Sequence, residues 1–464
     1  AYVAVDFHEV ENNKPYVFKT HDGGKTWTSI SQGLPADDPA RVVREDPNRK
    51  GFLVLGTDAA IFYSSDEGGH WTQIKSNFPT VSIYDLKFIK KTHDLVVATH
   101  GRGLFVLDDI TPLEESGAEL ARSDFHLFPG QPGTNWHLWS KHGFASGGYT
   151  APNPPNGAEI TYYLPAELKI TPDMRKKEQT PVKITISDST GKVIRTMYGP
   201  SKFGINRVAW NLRYDGPRKL NFLPPPEGQE EQEFFFDPNV GPTALPGTYK
   251  VAVTANGKTE TQNVQVESDP RFKLDPAALA AQLKLGLELR DELSALNEGL
   301  NRLNSLHKQI ASLQDLLGSD EAQNGTQTNV AYQPVLEQAR ALDKKITDLQ
   351  LPLYNSDVQP GSQDDIHYLQ RFHNRMQNIM RAVMSGFGEA PSQIQVEEAN
   401  EVRKELDAQL AKINNFLNTD VAAFNKNAAE HGSSTLFAGG PIQIKSEGAA
   451  SAAGAGGEED QDQD

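Results

Sequence analysis

Over the first quarter of the chain, apolar and polar residues alternate in short runs with a period of two, and Gly, Asp, Asn and Pro interrupt the runs. This is the pattern of half-buried strands joined by tight turns. Ten strands are predicted, at 1–5, 15–19, 27–30, 41–44, 51–56, 60–64, 71–74, 84–88, 95–99 and 104–107. After an aromatic, loop-rich stretch (Phe125-His126-Leu127-Phe128-Pro129, Trp136-His137-Leu138-Trp139), alternation resumes at 158–164, 182–188, 193–198, 206–212, 247–254 and 259–267, with turns at Ser189-Thr190-Gly191-Lys192 and Ala255-Asn256-Gly257-Lys258. At Asp269-Pro270 the period becomes helical. Asp275 supplies an N-cap and Pro276 the first helical position, and Leu289, Leu293, Leu296, Leu300, Leu303, Leu306, Ile310, Leu313 and Leu317 form one stripe ending at Gly318. Three more stripes follow: Leu336, Ala339, Leu342, Ile346 and Leu349; Ile366, Leu369, Met376, Met380 and Val383; Val402, Leu406, Leu410, Ile413, Leu417 and Phe424. Such stripes with polar backs belong to helices of an antiparallel bundle.

Two turns in the first quarter are copies of one another. Thr20-His21-Asp22-Gly23-Gly24-Lys25-Thr26-Trp27 and Ser64-Ser65-Asp66-Glu67-Gly68-Gly69-His70-Trp71 share Ser/Thr-x-Asp-x-Gly-x-x-Trp, and Asp22 and Asp66 lie 44 positions apart (66 − 22). Each sits between two strand runs and reads as a hairpin turn. The carboxylate accepts turn amides, glycine takes a positive φ, and the tryptophan packs back over the hairpin, so Asp22, Gly24, Trp27, Asp66, Gly68 and Trp71 are assigned a structural role. Four antiparallel strands within this spacing make one β-propeller blade. The third set of strands ends in Asp108-Asp109-Ile110 without a box. Ten strands amount to about two and a half blades, and a closed ring needs at least four. An open stack exposes edges and apolar faces, so the remaining blades are expected upstream in the same protein or on another chain.

With 464 residues there is room for about three domains. The chain is read as multidomain, mainly β then α. It comprises a partial Asp-box β-propeller (1–112), an aromatic connector (113–157), an Ig-like β-sandwich (158–268), an antiparallel helical bundle (269–430) and a disordered acidic tail (431–464). The sandwich carries a long insertion at 217–244 that runs from Leu223-Pro224-Pro225-Pro226-Glu227 to Phe234-Phe235-Phe236, three phenylalanines expected to dock on a neighbouring domain. From Ser446 onward there are six acidic and no basic residues. The net charge of −16 supplies no basic stripe and argues against a nucleic-acid partner. No apolar run approaches the roughly 18 residues of a membrane span. Absence of cysteine removes disulfides, thiolate catalysis and cysteine-ligated zinc. There is no His-Glu-x-x-His, Walker or Gly-x-Ser-x-Gly motif, and His367 and His373, six apart, share no helical face, so neither metal nor cofactor is expected. The chain starts with Ala1 inside a strand run, as a fragment or processed chain would, any signal peptide having been removed.

The two boxes resemble the Asp-box (BNR) repeats of sialidases, xyloglucan-cleaving endoglucanases and sortilin-type receptor propellers. The run Val97-Ala98-Thr99-His100-Gly101-Arg102-Gly103 with Val106-Leu107-Asp108-Asp109-Ile110-Thr111-Pro112 is similar to that of large secreted bacterial proteins labelled glycosyl hydrolase or sortilin-like. Gly204-Ile205-Asn206-Arg207-Val208-Ala209-Trp210 with Leu245-Pro246-Gly247-Thr248-Tyr249 is similar to Ig-like modules of the flagellar-hook-cap type. The resemblance implies an extracytoplasmic bacterial protein (periplasmic, cell-surface or secreted) that takes a peptide or polysaccharide in a propeller funnel.

Candidate funnel residues are His100, Arg102, Asp58 and Asp85. Glycoside hydrolysis needs two carboxylates facing each other across a cleft. Among Asp58, Asp85, Asp94, Asp108 and Asp109 nothing in the spacing sets two opposite one another. A sialidase needs an arginine cluster, whereas Arg102 stands alone; it either faces the funnel or braces a neighbouring blade through backbone carbonyls, and bracing is the favoured reading. Two functions follow. One is a recognition or scaffold protein with no catalytic centre in this chain, and the alternative is a BNR-type glycoside hydrolase whose carboxylates lie in upstream blades.

Overall fold

A computed structural model describes residues 1–75, 77–117, 120, 122–137, 153–221, 240–318, 332–354 and 370–446. Trp139, His142, Leu223–Glu227, Phe234–Phe236, Ile366, His367, Leu369 and the acidic residues from Glu447 onward lie outside the described residues. The chain divides into two compact units, one of Ala1–Gly191, Met197–Asn211 and Thr248–Glu267, the other of Lys192–Thr196, Leu212–Gly247 and Ser268–Asp464.

The first unit opens with three antiparallel meanders. Strands β1 (Tyr2–Phe7), β2 (Asn12–Lys19) and β3 (Thr28–Ser29) form one sheet; β4 (Ala40–Glu45), β5 (Leu53–Thr57), β6 (Ile61–Ser64) and β7 (Thr72–Gln73) form the next; β8 (Ile83–Ile89), β9 (Asp94–Thr99) and β10 (Leu104–Leu107) form the third. Alternation along the middle sheet decides which neighbour each side chain faces. Leu53, Leu55 and Val43 pack with Val17 and Ile30 of the first sheet, whereas Phe52, Val54 and Val42 pack with Ile83, Leu86, Leu95 and Val97 of the third. Each such fully buried side chain contributes about 1.5–3 kcal/mol, so the middle sheet is fastened on both faces. The outer sheets are covered on one face only, leaving Val3 exposed on β1 and Leu104 and Val106 on β10.

After a short helix, α1 (Thr111–Glu114), the strands continue as β11 (His126–Leu127), β12 (Gly133–Asn135) and β13 (Ala158–Leu164), helix α2 (Pro172–Lys176), then β14 (Lys183–Ser187), β15 (Val193–Tyr198), β16 (Gly204–Trp210), β17 (Gly247–Ala255) and β18 (Lys258–Ser268). They form a three-stranded sheet ordered β11-β13-β16 and a five-stranded sheet ordered β12-β18-β17-β14-β15. Trp210, completely buried, meets Tyr249 edge-on at 5.2 Å and so joins the two sheets.

The second unit contains a helical bundle of α3 (Pro276–Gly318), α4 (Gln333–Gln350), α5 (Phe372–Met384), α6 (Gln393–Phe416) and α7 (Ala422–Glu430). Asp275 caps α3 by accepting the Ala277 amide at 3.0 Å, and Ser392 and Gln395 form a reciprocal capping box at the start of α6. The stripes from Leu289 to Leu313, Val335 to Ile346, Phe372 to Val383 and Ala399 to Phe416 make one core. The fourth stripe does not stay on one helix: a π-helical turn at Leu417–Val421 separates α6 from α7 and carries Phe424 into the same core. Residues 431–446, assigned from composition to a disordered tail, instead lie along the bundle, with Leu436 and Ile442 buried in its core. The acidic composition of the following residues had masked two apolar anchors.

Candidate functional site

Both Asp-box turns close through the same hydrogen bonds. Asp22 accepts the Thr26 amide at 2.9 Å, the Thr26 hydroxyl at 2.7 Å and the Thr20 hydroxyl at 2.9 Å, and the Thr20 oxygen accepts the Gly24 amide at 3.0 Å. Asp66 accepts the His70 amide at 2.8 Å and the Ser64 hydroxyl at 2.8 Å, pairs with the His70 imidazole at 2.6 Å, and the Ser64 oxygen accepts the Gly68 amide at 2.8 Å. Hydrogen bonds from Thr26 hold the Asp22 carboxyl down at about 2. Burial works against ionisation of Asp66, but the bonds from His70 and Ser64 outweigh it and hold that carboxyl at about 2 as well.

The candidate site lies where strand ends of the three sheets meet. Each sheet has one irregularity in its pairing: between Val5 and Phe7 in β1, between Ala40 and Val42 in β4, and between Ile83 and Asp85 in β8. The residues so displaced are Asp6, Arg41 and Tyr84. A bulge re-aims the side chain it leaves out of register, and here all three go to one cluster. Arg41 Nη1 donates to Asp6 at 2.7 Å, and its Nη2 donates to Asp58 at 2.8 Å. Its guanidinium also lies over the Tyr84 ring, 5.6 Å from the centroid. The other face of the cluster is His100, stacked with Tyr84 at 4.9 Å and 24°, with its amide donating to the Ser82 carbonyl. His8 pairs with Asp6 at 2.7 Å.

Electrostatics fix the ionisation of this cluster. The Ser82 hydroxyl and the Arg41 guanidinium keep the Asp58 carboxyl below the usual range. Partial burial works to raise Asp6, and hydrogen bonds from His8 together with the Arg41 charge bring it below the usual range. Both carboxylates are therefore acceptors, and neither holds the proton that a general acid needs.

Of the four candidate residues, Asp58 and His100 belong to the cluster. Asp85 lies beside it and pairs with Arg44 of the neighbouring sheet at 2.7 Å. Arg102, flanked by Gly101 and Gly103, both with positive φ, is exposed and makes no hydrogen bond or ion pair among the described residues. Asp94 and Asp109 serve the turn before α1, where Asp94 accepts the Asp109 amide and Asp109 accepts Thr111, while the Asp108 and Asp109 carbonyls accept from Arg207. Asp6, His8, Arg41 and Tyr84 were not singled out from sequence. Their signal is slight, a charged or aromatic residue at the end of an apolar run, and the bulges that gather them follow from strand pairing.

Among the described residues no group of three or more His, Asp or Glu is arranged to hold a metal ion, and no helix is long and apolar enough to cross a membrane. No family model matches the sequence, and no curated protein is similar to it. Among solved structures, a mutant alpha-2-macroglobulin from Salmonella aligns at 12% identity with a TM-score of 0.15, over 56% of this chain and 16% of that one.

Proposed function

We propose that the three meanders are sectors of an Asp-box β-propeller, completed by further blades, and that the protein is an extracytoplasmic recognition or scaffold protein whose funnel mouth binds a glycan. The following two sheets and the bundle are read as an Ig-like sandwich and a helical support. The observation that carries the reading is the convergence of Asp6, Arg41 and Tyr84, one displaced residue from each of three successive sheets, on Asp58 and His100. Asp6 lies near the end of β1, and Arg41 and Tyr84 lie near the starts of β4 and β8; blades set around an axis would bring such strand ends together at one mouth. Tyr84 is 54% exposed. Its stack with His100 offers a flat platform to a sugar ring, and the ionised Asp6 and Asp58 beside it accept hydrogen bonds from ring hydroxyls. A peptide finds the same platform but fewer donors for the carboxylates.

Arrays of immobilised oligosaccharides and of peptides, probed with this chain and with Arg41→Ala, test the reading. Binding to sugars that falls at least about tenfold in the variant, with an unchanged near-ultraviolet circular dichroism spectrum, is expected, since a group held by two carboxylates and a ring positions all of them. Equal binding by both proteins removes the mouth as the site. New reducing ends in polysaccharide mixtures establish the hydrolase alternative instead.

A further inference from the structure

The carboxylates at the mouth each have a cationic partner. Asp6 is held by Arg41 at 2.7 Å and by His8, Asp58 by Arg41 at 2.8 Å, and Asp85 by Arg44 at 2.7 Å. Arg102 has no such partner among the described residues, although it is exposed and stands in the same neighbourhood. It lies in the loop His100-Gly101-Arg102-Gly103 between β9 and β10, whose base is pinned twice. The Thr99 amide and hydroxyl donate to the Gly103 carbonyl at 3.1 and 2.8 Å, and the His100 amide donates to the Ser82 carbonyl at 2.9 Å. Gly101 and Gly103 have φ of 82° and 73°, with nothing within 4 Å of where a Cβ would be. The glycines make this turn, and Arg102 adds no hydrogen bond to it, so the turn does not need an arginine. Arg102 follows His100 by two residues, which keeps its Cα within about 7 Å of that of the histidine stacked on Tyr84. The Tyr84–His100 stack is therefore flanked by carboxylates gathered on Arg41 and, at the His100 end, by a guanidinium that nothing neutralises.

We propose that the ligand of the mouth is an acidic glycan and that Arg102 selects it, by taking the carboxylate of a uronic acid whose ring rests on the Tyr84–His100 stack. The assignment rests on the reading of the mouth as a glycan site and adds the class of sugar. A guanidinium fork meets a carboxylate through two parallel charge-assisted bonds, and a neutral sugar leaves that fork unused. Asp6 and Asp58 accept hydroxyl donors and repel a second carboxylate. A uronic acid suits both ends, because its carboxylate stands at one edge of the ring and hydroxyls stand at the opposite edge. An acidic peptide offers the carboxylate but few hydroxyls.

Oligomers of galacturonate, mannuronate and glucuronate, the methyl esters of the same oligomers, a neutral galactan oligomer and a glutamate hexapeptide are titrated into this chain, Arg102→Gln, Arg102→Lys and Arg41→Ala, with isothermal titration calorimetry as the readout. At least one uronate is expected to bind about tenfold or more tightly than its ester and the galactan, the worth of a hydrogen-bonded charge pair. Arg102→Gln is expected to bring that uronate down to the level of its ester, and Arg102→Lys, a charge without the fork, to fall between. Because Arg102 makes no contact in the free protein, its variants keep the parent's unfolding transition. A uronate and its ester bound equally, or a uronate that loses nothing in Arg102→Gln, overturns the proposal. If Arg41→Ala then weakens both sugars, the mouth remains a glycan site that does not read charge. Tighter capture of the glutamate peptide than of any uronate overturns the sugar as ligand. Binding of no sugar at all removes the glycan reading of the mouth, and Arg102's role with it.

Discussion

Trp71 Nε1 donates to the backbone carbonyl of Ile30 at 2.6 Å, from the box turn of one sheet to the residue that follows the last strand of the sheet before it. Trp27, the equivalent residue of the first box, donates to the Gly24 carbonyl of its own turn and is 44% exposed. The two tryptophans, in turns closed by the same pattern of hydrogen bonds, thus differ in partner: Trp71 reaches the preceding sheet and Trp27 its own turn. Trp71→Phe is expected to lower stability by about 1–2 kcal/mol, because it removes a hydrogen bond and orphans a half-covered carbonyl. Trp27→Phe is expected to stay within about 0.5 kcal/mol of the parent. Urea unfolding followed by far-ultraviolet circular dichroism separates the two, and equal losses contradict the distinction.

Two left-handed glycines, Gly68 in the second box turn and Gly101 in the loop between β9 and β10, are predicted to differ in a related way. Gly68 has φ of 86°, and a Cβ there would lie 2.6 Å from Ile30 Cδ1; Gly101 has φ of 82° and open space around it. Gly101→Ala meets only the left-handed backbone penalty, about 1 kcal/mol, whereas Gly68→Ala adds overpacking of about 1–3 kcal/mol. Paired denaturation curves check the order, which reverses if the box turn can move away from Ile30.

Glu114 in α1 is nearly buried, its carboxylate 2.9 Å from His93 Nδ1 and close to the buried Asp46. Burial first, and the neighbouring Asp46 second, push its carboxyl up to about 7 against the pull of His93. The folded chain therefore keeps a proton that the unfolded chain releases near pH 4.5, so this contribution to stability is complete below that pH and is lost as pH rises through 7. Melting temperature measured from pH 5 to about 8 is expected to fall more steeply in the parent than in Glu114→Gln, which keeps the group neutral throughout. Parallel profiles contradict this.

His373 has the opposite sign. Its Nε2 lies 2.9 Å from Asn297 Oδ1, and burial lowers the imidazole to about 4. The unfolded chain binds a proton there near pH 6.5 that the folded bundle refuses, so stability present above that pH is lost as pH falls toward 4. Acid titration of the bundle's melting transition is expected to show a shallower decline in His373→Gln than in the parent. A histidine C–H resonance that titrates near 6.5 in the folded protein and disappears in His373→Gln contradicts the assignment.

The division into a β region and a helical bundle was legible because period-two and helical patterns each persist over many residues. The helix start at Pro276 was equally plain, since Asp275 and Pro276 mark it chemically. The mouth was only half legible. Asp58 and His100 sit at strand ends that alternation predicts, but Arg41 and Tyr84 reach the same cluster through bulges set by pairing between strands, which composition does not encode. The segment 431–446 along the bundle was missed for a different reason. Its Gly, Ser and Thr, followed by an acidic run, resemble solvated chain, and the amides of Asn414 and Asn425 that hold it are spread over two helices.

The most direct test of the ring is hydroxyl-radical footprinting, read by mass spectrometry, of the two uncovered sheet faces: Trp27 on one side, Leu104 and Val106 on the other, 71% and 55% exposed in the latter pair. The comparison is between this chain alone and the protein purified from its natural source. Oxidation of all three residues in the isolated chain and several-fold protection of all three in the natural protein is the predicted result, because the further blades proposed above would cover both faces. Equal oxidation in both samples means that no sheet is seated there, and contradicts the propeller.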